Sequence, residues 1–133
     1  MNRTWIIGGL VLAAAAAVGW INAGSRIATT ANTSVTLPDL SGTAAEGAEL
    51  FTQYCVACHG ESGGGSDAGP PLIHKIYEPN HHADQAFLVA ALYGVRQHHW
   101  QFGNMPPVEG ISQDEVIKIV SYVRAVQRAN GIR

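Results

Sequence analysis

The sequence predicts an all-α fold, and three observations carry that prediction. Val116, Ile119, Val120, Val123 and Val126 recur at spacings of three and four, the repeat of a helix with one buried face. Two helix-start patterns stand in the chain, Thr43 with Glu46 and Ser112 with Glu115, each a hydroxyl followed three residues later by a carboxylate that can reach back. No stretch alternates apolar and polar residues convincingly enough to read as a strand, and no internal repeat is present.

Taken in order, the first element is apolar. Trp5 to Ala23 carries no charge and includes an alanine run from Ala13 to Ala17, with Arg3 ahead of it. Residues 1–23 are therefore expected to form an apolar helix, either a transmembrane anchor or a cleaved secretory signal. A cleavage site after Ala23 would place bulky Ile21 at an unfavourable position, and cleavage within the alanine run is the other option. A buried core helix is the third reading. Under either leading reading the rest of the chain lies on the far side of a membrane, with Arg3 left in the cytoplasm.

Residues 24–42, rich in Ser, Thr, Asn and Ala, read as a flexible linker, with an ordered extension packed on the domain as the alternative. The folded domain is expected over 43–133. Its first helix runs from Thr43 to about Cys55. A glycine-rich loop follows from Gly60 to about Pro71, with Gly63, Gly64 and Gly65 in a row. It is not a phosphate loop, since no lysine and helix start follow in register. It suits a backbone that must turn closely around something bulky. A short helix over Asp84 to Tyr93 is capped by Asp84 and ended at Gly94. Residues 96–108 read as an irregular loop. The last helix starts at the Ser112–Glu115 capping box, with Ile111 and Val116 as a hydrophobic staple.

Size and charge narrow the function. A chain of 133 residues suits one domain with accessories. Charged residues are 14%, low against a norm of about 25%. The formal net charge is −2, and setting aside residues 1–23 leaves seven basic and ten acidic side chains, a net −3. With no basic run and only Lys75 and Lys118 as lysines, nucleic acid is not an expected partner.

The chemistry centres on Cys55-Val56-Ala57-Cys58-His59, the C-x-x-C-H attachment signature of a c-type haem. Residues three apart on a helical turn project from one face. Two such thiols can add to the two haem vinyl groups, which brings His59 beneath the iron as a ligand. A thioredoxin-like dithiol would sit beside a βαβ pattern, which is missing here. A zinc site would need further ligands at set spacing, and a disulfide across so short a loop would be unusual. Met105, in Phe102-Gly103-Asn104-Met105-Pro106-Pro107, is the expected distal iron ligand. A thioether in that place raises the reduction potential, and the prolines stiffen the loop. The competing reading is a methionine that fills a core gap.

Together these residues resemble the class I mono-haem cytochrome c family, over roughly Leu37 to Ile132. The resemblance rests on Gly47 and Phe51 in the first helix, the CVACH motif, Gly69-Pro70-Pro71-Leu72, the GNMPP loop and Tyr122 in the last helix. It implies cytochrome c-like helices wrapped around one covalently bound haem c, with first and last helices crossing at Gly47 beside Phe51 and Tyr122. It also implies that a proline carbonyl accepts a hydrogen bond from His59; Pro70 or Pro71 matches, with Pro71 favoured. Such a bond orients the ligand. The implied function is one-electron transfer without substrate turnover, and the apolar segment 1–23 sets it on the periplasmic side of a bacterial inner membrane, anchored or soluble after cleavage. Redox partners would be a quinol-oxidising complex, a terminal oxidase or a periplasmic reductase.

Arg96 and Trp100 are candidate partners for haem propionates, with Tyr77 a weaker one and a solvated surface the alternative for Arg96. His81, His82, His98 and His99 match no general family role. They read as surface or structural histidines, a shield or propionate contact at the haem edge, competitors for the iron, or a second metal site for copper or zinc. Two alternative functions follow: a peroxidase or small-molecule reductase with an open iron position, and a metal-handling module built on the histidine pairs.

Overall fold

The computed structural model describes residues 34–133. The apolar helix expected over 1–23 and the first part of the linker, 24–33, lie outside the described residues. The described residues hold four α-helices: α1 (Thr43–Tyr54), the single turn α2 (Val56–His59), α3 (Asp84–Tyr93) and α4 (Gln113–Ala129), with 3₁₀ turns at Glu61–Gly63 and Lys75–Tyr77. Among the described residues there is no strand, only an isolated antiparallel bridge between Val95 and Met105, and no helix is long and apolar enough to cross a membrane.

Helix α4 is the spine. Its apolar stripe is buried throughout, from Val116 at 2% exposure to Val126 at 0%. Its start is the expected capping box. The Glu115 backbone N–H donates to the Ser112 hydroxyl at 3.3 Å, and the Ser112 N–H donates to the Glu115 carboxylate at 2.8 Å. Those bonds hold the Glu115 carboxyl below its ordinary value. The staple residues Ile111 and Val116 are both buried in the main core.

Helix α1 crosses α4 at Gly47. A Cβ added there would lie 2.0 Å from the Lys118 carbonyl oxygen, so only glycine lets the two backbones approach this closely. One turn on, Phe51 and Tyr122 pack with ring centroids 5.2 Å apart. Substituting Gly47→Ala is expected to force the helices apart and cost about 3 kcal/mol, since the obstacle is backbone rather than a movable side chain. Thermal melting of the haem-loaded protein checks this; an unchanged melting temperature would contradict the tight crossing.

Two expected caps are not formed, for a shared reason. Gly42, not Thr43, sits at the N-cap of α1 and no side chain caps it. Glu46 pairs instead with Lys118 of α4 at 2.6 Å. At α3 the N-cap is Ala83, without a side-chain bond, and Asp84 accepts from Arg124 Nε at 2.7 Å. In both helices a cation on α4 takes the carboxylate that local pattern assigned to the cap.

The described part of the presumed linker is an ordered extension. The Thr36 N–H donates to Asn130 Oδ1 at 3.0 Å, Asn130 Nδ2 donates back to the Thr36 carbonyl at 2.8 Å, and Val35 and Leu40 pack against the core. The domain therefore begins ahead of residue 43.

Candidate haem site

The C-x-x-C-H segment sits at a break between helices. Helix α1 ends at Cys55, whose φ of −118° departs from helical geometry, and α2 starts at once. The Cys58 and His59 N–H groups both donate to the Cys55 carbonyl, at 3.2 and 2.9 Å. Cys55 is half-buried and Cys58 exposed, and the two form no disulfide. Burial, with the neighbouring Cys58 adding to it, pushes the Cys55 thiol up to about 11. A reactive thioredoxin-like dithiol needs the opposite shift.

His59 is buried, at 8% exposure. Its Nδ1 lies 2.9 Å from the Pro70 carbonyl oxygen. A carbonyl only accepts, so Nδ1 carries the proton and Nε2 keeps its lone pair for a metal. The acceptor is thus Pro70 rather than Pro71. Pro71 packs its ring on Gly65, where an added Cβ would lie 3.1 Å from the proline Cδ. Burial pushes the His59 imidazole below its ordinary value, against the opposing effect of the Pro70 bond. The neutral ring is the ligating form.

The glycine loop closes on itself around this histidine. The Gly65 N–H donates to the His59 carbonyl at 2.7 Å, and Gly60, at φ 73°, leaves no room for a Cβ beside the Gly65 carbonyl.

His59 faces an apolar cavity of about 510 Å³, open on one side. Cys55, His59 and Pro70 line it from the first half of the chain, Val95, Trp100 and Met105 from the second, and the apolar stripe of α4 completes its wall. Met105 is held by its backbone: Met105 and Val95 exchange two N–H to carbonyl bonds of 2.9 Å. Gly94 makes this possible. At φ 78° it ends α3, and a Cβ there would lie 2.7 Å from the Met105 carbonyl oxygen. Gln97 pins the same loop, its N–H donating to Asn104 Oδ1 at 2.9 Å and its Oε1 accepting from Gly103 at 2.7 Å.

These residues fit a c-type haem. The cavity is almost wholly apolar and joins the attachment motif to a thioether on a pinned loop. The Trp100 indole N–H is buried and makes no hydrogen bond of ordinary geometry, although the Tyr77 hydroxyl lies close enough for the indole to draw its pKa down against burial. A buried donor of that kind marks a place for an acceptor from a bound group. Tyr77 also lines the cavity, and burial raises its hydroxyl's pKa. Arg96 lies between two residues that line the cavity, Val95 and Gln97, but is not itself among the lining residues. Its side chain is exposed, and the contact it makes is through its carbonyl, which accepts from His98 Nδ1 at 2.8 Å.

Sequence reasoning missed the buried polar bracket of Arg124 and Gln127, exposed by only 7% and 1%. Arg124 donates to the carbonyls of Tyr77 and His82 and to Gln127 Oε1. Gln127 Nε2 donates to the Leu72 carbonyl at 2.9 Å. Together they fasten the chain between Leu72 and α3, part of the cavity wall, onto α4. The available signal was a charged side chain one turn beyond Val120 on an apolar stripe.

His81, His82 and His99 come together, their ligand nitrogens all within 4.8 Å of one another. His98 packs beside them, 4.3 Å from the His99 ring. Desolvation, then the charges of His98, His82 and His81, lower the pKa of His99.

Comparison with known proteins agrees with this geometry. Residues 44–127 match the family Cytochrome c. No curated protein matches the chain. Among solved structures, the chain is similar to cytochrome cL from the marine methylotrophic bacterium Methylophaga aminisulfidivorans, with a TM-score of 0.51 and 24% identity. The match covers 82% of this chain and 63% of that one, so this chain spans less than two thirds of its neighbour's length, and at that identity the likeness speaks for the fold. The protein belongs to the cytochrome c family. Its cofactor is covalently bound haem c, with Cys55 and Cys58 as the attachment cysteines of the C-x-x-C-H motif.

Proposed function

We propose that the protein is a one-electron carrier whose haem iron is ligated by His59 and Met105. The observation that carries this reading is that both side chains line one apolar cavity, each held by a hydrogen bond or bridge that fixes its approach. The haem, when bound, supplies an Fe(III)/Fe(II) couple, and the residues set its conditions. His59 offers Nε2, with Pro70 holding the ring and its tautomer. Met105 offers a soft neutral sulfur that favours the reduced state. The apolar lining would give the iron a low-polarity surrounding, and Trp100 would offer its N–H to a propionate. With both His59 and Met105 as its ligands the iron would have no position for a substrate, so in this reading the chain turns nothing over by itself.

Partners in this reading are redox proteins on the periplasmic side of a bacterial inner membrane: a quinol-oxidising complex, a terminal oxidase or a periplasmic reductase. Residues 1–23 anchor the domain if retained and leave it soluble in the periplasm if removed. The domain's negative balance argues against a lysine-ringed docking face and favours a basic partner patch or apolar contact at the haem edge. Potentiometric titration of the purified holoprotein is expected to show one reversible one-electron wave, with no turnover of hydrogen peroxide. Rapid peroxide turnover would move the protein to the enzymes.

A further inference from the structure

We propose that His81, His82 and His99 bind one copper ion at the exposed edge of the haem cavity. None of the three has a part in attaching or ligating the haem, yet two loops bring them to one point. His81 and His82 lie just ahead of α3, and His99 lies in the loop that leads to Met105.

The distances suit a metal. His81 Nε2 and His99 Nε2 are 3.3 Å apart. Two imidazole nitrogens at about 2.0–2.1 Å from one metal stand about 3.3 Å apart in a tetrahedral site and about 2.9 Å apart in the tetragonal site Cu(II) prefers, so the pair needs only a small closure. The third ligand is pre-set. His82 Nδ1 lies 2.7 Å from the Ile76 carbonyl, so it carries the proton and leaves Nε2 to coordinate. That arrangement, one ring nitrogen to a carbonyl and the other to the metal, is the usual support of a ligating histidine. The His82 carbonyl is itself held by Arg124, which anchors this residue to α4. His98 Nδ1 is occupied by the Arg96 carbonyl. Its ring stacks on His82 with centroids 5.9 Å apart, which makes it a flank rather than a necessary ligand.

The donor set selects the ion. Three imidazoles, with no carboxylate in the group, suit copper or zinc and not calcium or magnesium, which need oxygen ligands. Between the first two, divalent copper binds a given nitrogen site more tightly. His82 and His99 also line the haem cavity, so the ion would sit against its wall.

The test is a Cu(II) titration of the haem-loaded protein by equilibrium dialysis, with X-ray absorption at the copper edge on the one-to-one complex. One ion per chain and a first shell with three imidazole nitrogens are expected. His81→Ala and His99→Ala should each weaken binding at least 100-fold, His81→Ala with the haem spectrum unchanged, while His98→Ala should weaken it less than tenfold. Non-saturating binding, a shell with fewer than two imidazoles, or affinity indifferent to His81 and His99 would overturn the proposal. Zn(II) binding more tightly than Cu(II) would overturn the choice of copper. The absorption spectrum of the unsubstituted protein decides the ligands even if a variant fails to fold.

Discussion

Substituting Met105→Ala is expected to abolish the weak long-wavelength band of the ferric protein and to lower its midpoint potential sharply. Axial ligation spans roughly 0.8 V of haem potential, and loss of a thioether moves the iron toward the low end. The two backbone bonds between Met105 and Val95 do not involve the side chain. The loop should therefore keep its course, and the effect should be confined to the ligand. The variant's ferrous form should also bind carbon monoxide. Absence of the band from the native protein, with a potential that Met105→Ala leaves unchanged, would show that another group holds the iron in place of Met105; His98 and His99 line the same cavity.

The second large effect is on folding. The haem-free chain is expected not to fold cooperatively. The cavity of about 510 Å³ is faced by the same stripe of α4 that forms the core. At about 24 cal/mol per Å³, an empty cavity of that size costs on the order of 12 kcal/mol, an upper figure because the cavity is open to water on one side. Total stability of a domain is about 5–15 kcal/mol, so the apo chain has little left. Circular dichroism melting of a haem-free variant with Cys55 and Cys58 replaced by alanine checks this. A cooperative, native-like transition would contradict it.

How far the sequence could be read depended on whether a feature was local. The last helix was legible from capping box to buried stripe because its signals lie within one helix. The attachment motif was legible because its spacing states its geometry. The caps at Thr43 and Asp84 misled because Glu46 and Asp84 answer to Lys118 and Arg124, cations brought near only by folding. Choosing between Pro70 and Pro71 was a matter of one residue of register. Each has a carbonyl to offer, and the contact between Pro71 and Gly65 decides it. Met105 stood out in its loop, but the pairing with Val95 that holds it left no pattern, since backbone groups are the same at every residue. Residues 34–42 looked like linker by composition. Their attachment runs mainly through the backbone of Thr36 to Asn130, which composition does not record.

The most direct test of ligation by both His59 and Met105 is to expose the native ferrous protein to carbon monoxide and record its optical spectrum. Two protein ligands leave the iron no free position, so the spectrum should stay that of the reduced protein. Prompt conversion to a carbon monoxide complex would contradict the account and point to a haem built to bind small molecules.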